Sequence, residues 1–294
     1  MINKLTIIGV GLIGGSLARA LRQAGLCREI VGHGRNVQQL QNAVELGVID
    51  RYELDIGLAV RDADMVVLAV PVGATEAIMQ ELLGKLAAHT VLTDVGSVKG
   101  SVVDAARKVF KKVPAQFVPG HPIAGTEKNG VDASFAELFK GRRVILTPLP
   151  VTSEEALGKV RRMWEGAGAE VVEMEVRRHD EVLAATSHLP HLLAYTLVDT
   201  LAHLETNQEI FGFTAGGFRD FTRIASSDPQ MWHDICLANR NAILGILEHY
   251  SDELEQLTDA IRTRDSARIL AVFTRAKAAR DRSITLDTLP AHKH

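Results

Sequence analysis

The sequence predicts an α/β fold built on a parallel sheet, followed by an all-α region, and three observations carry that expectation. Through the first half, short apolar runs alternate with amphipathic helical patterns. The first apolar run ends in a glycine-rich turn that opens a helix, Gly9-Val10-Gly11-Leu12-Ile13-Gly14. Past about Val176 the β-rich runs stop and long helical patterns take over. Alternation of the first kind puts helices on both faces of a parallel sheet.

Taken in order, Lys4 to Ile8 reads as the first strand and Leu12 to Gln23 as the first helix. A second strand at Glu29 to Val31 precedes a helix near Val37 to Leu46. Met65 to Val70 and Val91 to Asp94 are β-rich, with helical patterns following near Thr75 to Leu86 and Val98 to Phe110. Phe117 to Val118, Arg143 to Thr147 and Glu170 to Met174 supply further strands. Between the last two, Ser153-Glu154-Glu155 is an N-cap with acids in the first turn. The second half predicts helices over Arg178 to Glu205, Pro229 to Tyr250, Ser251 to Arg262 and Ser266 to Arg280. Asp228-Pro229 is a cap followed by proline at the first helical position, and Pro190 predicts a kink in the first of these helices. The division falls at Met174 to Val176, giving domains 1–175 and 176–294 that pack without a Pro/Gly-rich linker. The tail from Asp287 to His294 is expected to be poorly ordered.

Bulk properties narrow the function. A chain of 294 residues buries a sizeable core and fits two domains. Hydrophobic content of 46% and charged content of 23% are ordinary for a soluble globular protein. A net charge of −3 gives no reason to expect nucleic acid or an anionic membrane as partner. The longest apolar runs are too short to span a bilayer, and the N-terminus enters a strand without signal-peptide architecture. Cys27 and Cys236 lie far apart with no metal-ligand spacing, so two reduced thiols, a cytoplasmic location and no bound metal are expected.

The glycine loop stands in the setting that its chemistry requires, after a strand and before a helix. Gly9 permits the tight turn, Gly11 lets the main chain approach a pyrophosphate, and Gly14 lets helix and strand pack closely. The helix start at Leu12 and Ile13 offers free N–H groups to the phosphates. The second strand ends Val31-Gly32-His33-Gly34-Arg35, where an NAD site ordinarily carries an acid for the ribose 2′-hydroxyl. Glu29 comes too early and Asp50 too late. His33 and Arg35 suit a 2′-phosphate, which favours NADP over NAD.

A second motif, Gly120-His121-Pro122-Ile123-Ala124-Gly125, holds an imidazole between two residues that restrict the main chain. A nucleotide loop and a held imidazole together suggest an enzyme that oxidises or reduces a small molecule. Further stretches join them: Thr93-Asp94-Val95-Gly96-Ser97-Val98-Lys99, Thr126-Glu127-Lys128-Asn129-Gly130, Ser187-His188-Leu189-Pro190-His191, and Gly216-Gly217-Phe218-Arg219-Asp220-Phe221-Thr222-Arg223-Ile224-Ala225. In this order, over nearly the whole chain, they resemble the prephenate/arogenate (cyclohexadienyl) dehydrogenase family of tyrosine biosynthesis. The one departure is the missing acid after the second strand, which bears on the cofactor rather than the reaction.

The resemblance implies a Rossmann-type dinucleotide-binding domain followed by an all-α dimerisation domain, and oxidative decarboxylation of arogenate, prephenate or both. By resemblance His121 is the catalytic histidine, and an imidazole suits proton abstraction from a hydroxyl at neutral pH. Ser97 matches a residue between nicotinamide and substrate hydroxyl, though as a sequence feature it also reads as a helix N-cap before Val98. Arg223 matches the arginine that holds the ring carboxylate, and Glu127 an acid near the site's mouth that could orient His121 or an ordered water, although a surface glutamate reads the same in sequence. Arg219 is either a second anchor or a solvated residue.

His188, His191, Tyr195 and Asp199 recur at helical spacing as one polar stripe facing the substrate pocket, with His188 and His191 the nearest contacts. His179 joins no constellation in the sequence. Apolar residues over a wide arc around Leu189, Leu193, Leu197, Ile243 and Leu247 call for cover by a second copy, and the family precedent is a homodimer. Trp232 fits that interface or the core. The competing assignments are another two-domain β-hydroxyacid-type dehydrogenase, which leaves the Gly120–Gly125 run unexplained, and a non-catalytic dinucleotide sensor.

Overall fold

The computed structural model describes residues 1–288. The sequence expectation for the tail thus falls largely outside the described residues. Six parallel strands form the main sheet: β1 (Ile2–Ile8), β2 (Cys27–His33), β3 (Arg51–Tyr52), β4 (Met65–Leu68), β5 (Val91–Asp94) and β6 (Phe117–Val118). Their order is β3-β2-β1-β4-β5-β6, so the winding reverses between β1 and β4. Helices α1 (Leu12–Gln23), α2 (Val37–Glu45), α3 (Ile56–Val60), α4 (Thr75–Leu82) and α5 (Lys99–Phe110) make the crossovers. In such a sheet the ligand crevice opens beyond the carboxyl ends of the strands at the reversal.

The two-residue period of the strands explains why these segments are apolar throughout. Leu5 and Ile7 of β1 and Met65 and Val67 of β4 face one side, with Leu17 and Leu21 of α1. Ile8, Val66 and Leu68 face the other, with Met79 and Leu82 of α4 and Val102 and Ala106 of α5. Burial on both faces turns the usual alternation into a continuous hydrophobic run.

The strands after β6 depart from the sequence expectation of one sheet. β7 (Gly120–Pro122), β8 (Arg143–Leu146) and β9 (Glu170–Glu173) form a separate sheet of order β7-β8-β9, with β7 antiparallel to β8. A three-residue strand bounded by glycine and proline carries no periodicity, which is why Gly120–Pro122 does not read as one. Helix α6 (Glu154–Gly166) covers this region, capped by Ser153 as its sequence predicts, and buries Trp164 edge-on to Phe139.

In the helical half, α7 (Val176–Leu183), a π-helical turn (Ala184–His188) and α8 (Leu189–Ala202) follow without a break. The irregularity expected at Pro190 is this π turn. Pro190 itself sits in the first turn of α8, directly after that π turn. Two short helices follow, α9 (Asn207–Gly212) and α10 (Gly216–Thr222), then α11 (Pro229–Ala238), α12 (Arg240–Arg262) and α13 (Ser266–Thr288). The helix expected over Pro229 to Tyr250 ends instead at Asn239, and the next runs unbroken through Ser251.

Packing divides the chain into a unit from Met1 to Ile243 and a second beginning at Leu244. In the second, a turn around Arg264 joins α12 to α13, and Arg268 donates to Gln256 across the hairpin at 2.7 Å. Leu254, Ile261, Leu270 and Phe273 are exposed on a single chain. Among the described residues no helix is long and apolar enough to cross a membrane, and no group of three ligating side chains could hold a metal ion. Cys27 and Cys236 are both free.

Candidate active site

The glycine loop links the end of β1 to α1. Gly9 has φ +98°, and a Cβ there would lie 2.4 Å from the Ala69 carbonyl oxygen. A Cβ on Gly14 would lie 2.4 Å from the Gly9 carbonyl oxygen and 2.8 Å from Ile7. These two glycines are therefore required by the fold. Gly11 is different: a Cβ there would meet nothing within 4 Å. It caps α1 with no side chain, the first turn carries no acid, and Leu12 and Ile13 behind it are half-buried. A helix start left bare in this way fits the pyrophosphate of a dinucleotide.

At the end of β2, His33 is buried and donates from Nδ1 to the Glu53 carbonyl at 2.8 Å, which ties its ring to the main chain. Arg35 is exposed. The neighbouring acids are engaged elsewhere: Glu29 pairs with Arg51, and Asp50 accepts from the Ile30 N–H and from Arg22. A Cβ on Gly34 would meet only Leu40, at an ordinary 3.8 Å. The fold thus has room for a side chain at 34, and the sequence puts none there.

His121 lies in β7 opposite Ile145 of β8, with only 8% of its surface exposed. The residue before it, Gly120, is held at both its N–H and its carbonyl. The Gly120 N–H donates to Asp94 Oδ1 at 3.1 Å, and the Gly120 carbonyl accepts from Lys99 Nζ at 2.6 Å. Lys99 and Asp94 are themselves a buried ion pair. The ring then meets a second histidine, His121 Nδ1 lying 2.9 Å from His179 Nε2. His179 Nδ1 lies 2.8 Å from Asp180 Oδ1. Asp180 accepts the Lys99 N–H on Oδ1 and the Gly100 N–H on Oδ2, both at 2.8 Å, so α7 caps the start of α5.

Electrostatics keeps these imidazoles neutral. Burial, reinforced by His179, Lys99 and His188, holds His121 well below the ordinary histidine value. Burial also lowers His179, although Asp180 opposes it. The same cause brings His188 down to about 4. A neutral imidazole at neutral pH is the form that accepts a proton.

Ser97 is half-buried at the turn between β5 and α5. The cap of α5 is Val98, without a side-chain bond, so the capping role available to Ser97 in the sequence belongs instead to Asp180, 81 residues from the Lys99 N–H that it accepts.

The polar stripe of the helical half divides. His188 is buried, with its Nδ1 3.1 Å from Asn239 Nδ2, which also donates to the Asp180 carbonyl at 2.9 Å. This pull on Asn239 accompanies the break between α11 and α12. His191 donates from Nδ1 to the Ser187 carbonyl and stacks on Trp232 with centroids 3.7 Å apart and planes at 22°. Trp232 is in the core, against Val98 and Ile235, with its indole N–H buried and unpartnered. Tyr195 instead anchors the Ser227 carbonyl, and Asp199 is exposed beside His203. Neither continues the stripe into the site.

Arg223 and Glu127 are exposed and face each other at 3.4 Å. Glu127 thus meets Arg223 rather than His121. Arg219 donates to the Thr214 carbonyl at 3.3 Å and does not join them. The structure therefore brings His121 into a buried network with Lys99, Asp94, His179 and Asp180, none of which the sequence had assigned a role. Their signal was weak: His179-Asp180 lies in the charged run Arg177-Arg178-His179-Asp180-Glu181, which reads as a solvated face.

Comparison with known proteins agrees with this geometry. Residues 17–173 match the nucleotide-binding domain of prephenate dehydrogenase and residues 175–275 its dimerization domain. The chain is 39% identical to a cyclohexadienyl dehydrogenase of Zymomonas mobilis, over 95% of each chain. It is 38% identical to a prephenate dehydrogenase of Bacillus subtilis, covering 96% of this chain and 76% of the other. Among solved structures, the prephenate dehydrogenase of A. aeolicus in complex with hydroxyphenyl propionate and NAD+ superposes with a TM-score of 0.89 at 37% identity, over 96% of this chain and 98% of that one.

Proposed function

The chain belongs to the prephenate dehydrogenase family and is a nicotinamide-dependent oxidoreductase of oxidative decarboxylation, and we propose that it performs this reaction with His121 as the base. The observation that carries the proposal is a neutral, buried imidazole whose preceding residue, Gly120, is held at both its N–H and its carbonyl. With Nδ1 engaged by His179, the Nε2 of His121 is the nitrogen free to take the proton from the ring hydroxyl of prephenate or arogenate. Gly9, Gly11, Leu12, Ile13 and Gly14 would hold the pyrophosphate of a nicotinamide dinucleotide, which would supply the hydride acceptor. Ser97 hydrogen-bonds the reacting hydroxyl beside it. As the hydroxyl proton passes to His121 and the hydride leaves the carbon that bears the hydroxyl for the dinucleotide, the carbon–carboxylate bond breaks, its electron pair completes the aromatic ring and carbon dioxide is released.

Arg223 grips the ring carboxylate, exchanging Glu127 for the substrate. Its hold must orient that group without opposing its loss, since only interactions stronger in the transition state than in the ground state accelerate the chemical step. His188 and His191 line the substrate side as neutral groups, with Trp232 backing His191.

The preferred cofactor on this account is NADP. The support is Gly34 in place of an acid, with Arg35 exposed beside it; His33, tied to Glu53, contributes shape rather than a free donor. Residues 1–175 form the cofactor half, and residues 176–294 the substrate half and the interface of a homodimer. The exposed apolar residues of α12 and α13 support that interface. Two free cysteines suit a cytoplasmic enzyme.

The test is kcat/KM for prephenate and for arogenate, each with NADP and NAD, followed by reduced-nicotinamide absorbance. Turnover of at least one substrate with NADP favoured tenfold or more is the expected result. No turnover by folded protein that binds NADP would overturn it.

A further inference from the structure

The buried run from His121 to Asp180 has a consequence for which proton His121 carries. Both oxygens of Asp180 accept main-chain N–H groups at the start of α5, so this carboxylate faces His179 as an acceptor. His179 must then carry its proton on Nδ1 and present a bare Nε2. A bare Nε2 at 2.9 Å requires the proton of His121 to be on Nδ1. That leaves His121 Nε2 as a lone pair. Free imidazole carries no such instruction, and neither nitrogen of His121 has any other polar partner among the described residues.

We propose that His179 and Asp180 are positioning residues that fix the tautomer of His121, so that its Nε2 is always the basic nitrogen. The proposal rests on His121 being the base. When His121 Nε2 accepts the hydroxyl proton, Nδ1 keeps its own, and the imidazolium is steadied through His179 by Asp180; no proton needs to pass along the run. The other charged or titratable groups packed around His121 are Lys99 from α5, Asp94 from β5 and His188 from the π turn. Lys99 and Asp94 satisfy each other and Gly120, and His188 is bonded to Asn239. Of these groups only His179 reaches the ring of His121 by a hydrogen bond.

The direct test needs no variant. Nitrogen-15 NMR of the histidine-labelled enzyme at neutral pH should show His121 protonated on Nδ1 and bare on Nε2; a proton on Nε2 overturns the proposal. His179→Leu should lower kcat roughly a hundredfold or more, as loss of a tautomer-fixing partner does elsewhere. Its KM and its affinity for NADP should stay within about twofold of wild type, and the acid limb of its pH profile should shift. His179→Gln, whose amide oxygen can accept from Nδ1–H, should recover kcat to within about tenfold of wild type. Wild-type kcat in His179→Leu, or equal losses in both variants with an unshifted pH profile, overturns the proposal. Neither outcome touches the assignment of His121, which fails only if His121→Asn stays active.

Discussion

Lys99 and Asp94 form an ion pair sealed from solvent, with side chains 0% and 2% exposed, and together they hold both the N–H and the carbonyl of Gly120. The pair is built locally, from the last residue of β5 and the first of α5, five positions apart. Its work is done at a distance, on the peptide that aims His121. Burial pulls the Lys99 ammonium below its ordinary value while Asp94 opposes that pull. Two charges with every partner in place are tolerable in an interior, and one alone is not.

Lys99→Met should therefore destabilise the protein by about 3–5 kcal/mol, because Asp94 is left charged and buried. Chemical denaturation of wild type and variant checks this. A loss below about 1 kcal/mol would mean that water reaches the pair.

The glycines of the first loop separate by purpose. Gly14→Ala meets the Gly9 carbonyl at 2.4 Å and should lower Tm with or without cofactor. Gly11→Ala meets nothing of the protein and should leave Tm of the free enzyme unchanged while weakening NADP binding at least tenfold. Thermal melts paired with cofactor titration distinguish the two effects. Equal behaviour of the two variants would remove the phosphate cradle from the account.

Arg223 and Glu127 are both exposed, so their pair adds little to stability. Arg223→Ala should keep the wild-type Tm yet raise KM for the substrate by roughly ten- to a hundredfold, the worth of a charge-assisted hydrogen bond. An unchanged KM would place the carboxylate elsewhere.

Acid should destabilise the site through its buried histidines. His188 has its folded value depressed to about 4 from an ordinary 6.5. The stability it carries is present above pH 6.5 and is lost as pH falls through that window towards 4, by on the order of 3 kcal/mol. His121 and His179, lowered by burial as well, act in the same direction. Unfolding free energy measured from pH 7 to pH 4 should fall in wild type and fall less in His188→Asn.

Much of the fold is legible in the sequence because strands buried on both faces are continuous apolar runs and because Gly9, Gly11 and Gly14 mark the first turn. β7 is not legible, since three residues show no period. The break at Asn239 is set by partners 51 and 59 residues away, at His188 and Asp180, which no local pattern contains. The site divides the same way. His121 stands out because glycine and proline flank it. His179, Asp180 and Lys99 do not, because ordinary charged residues become buried ones only when α7 docks on the start of α5.

The central claim is that His121 takes the substrate proton, and His121→Asn tests it most directly. Asparagine keeps a polar side chain of similar reach but has no basic nitrogen. The account predicts that kcat with prephenate or arogenate falls about 10²–10⁴-fold, the worth of a general base, while the affinity for NADP is unchanged. Wild-type turnover by that variant would contradict it.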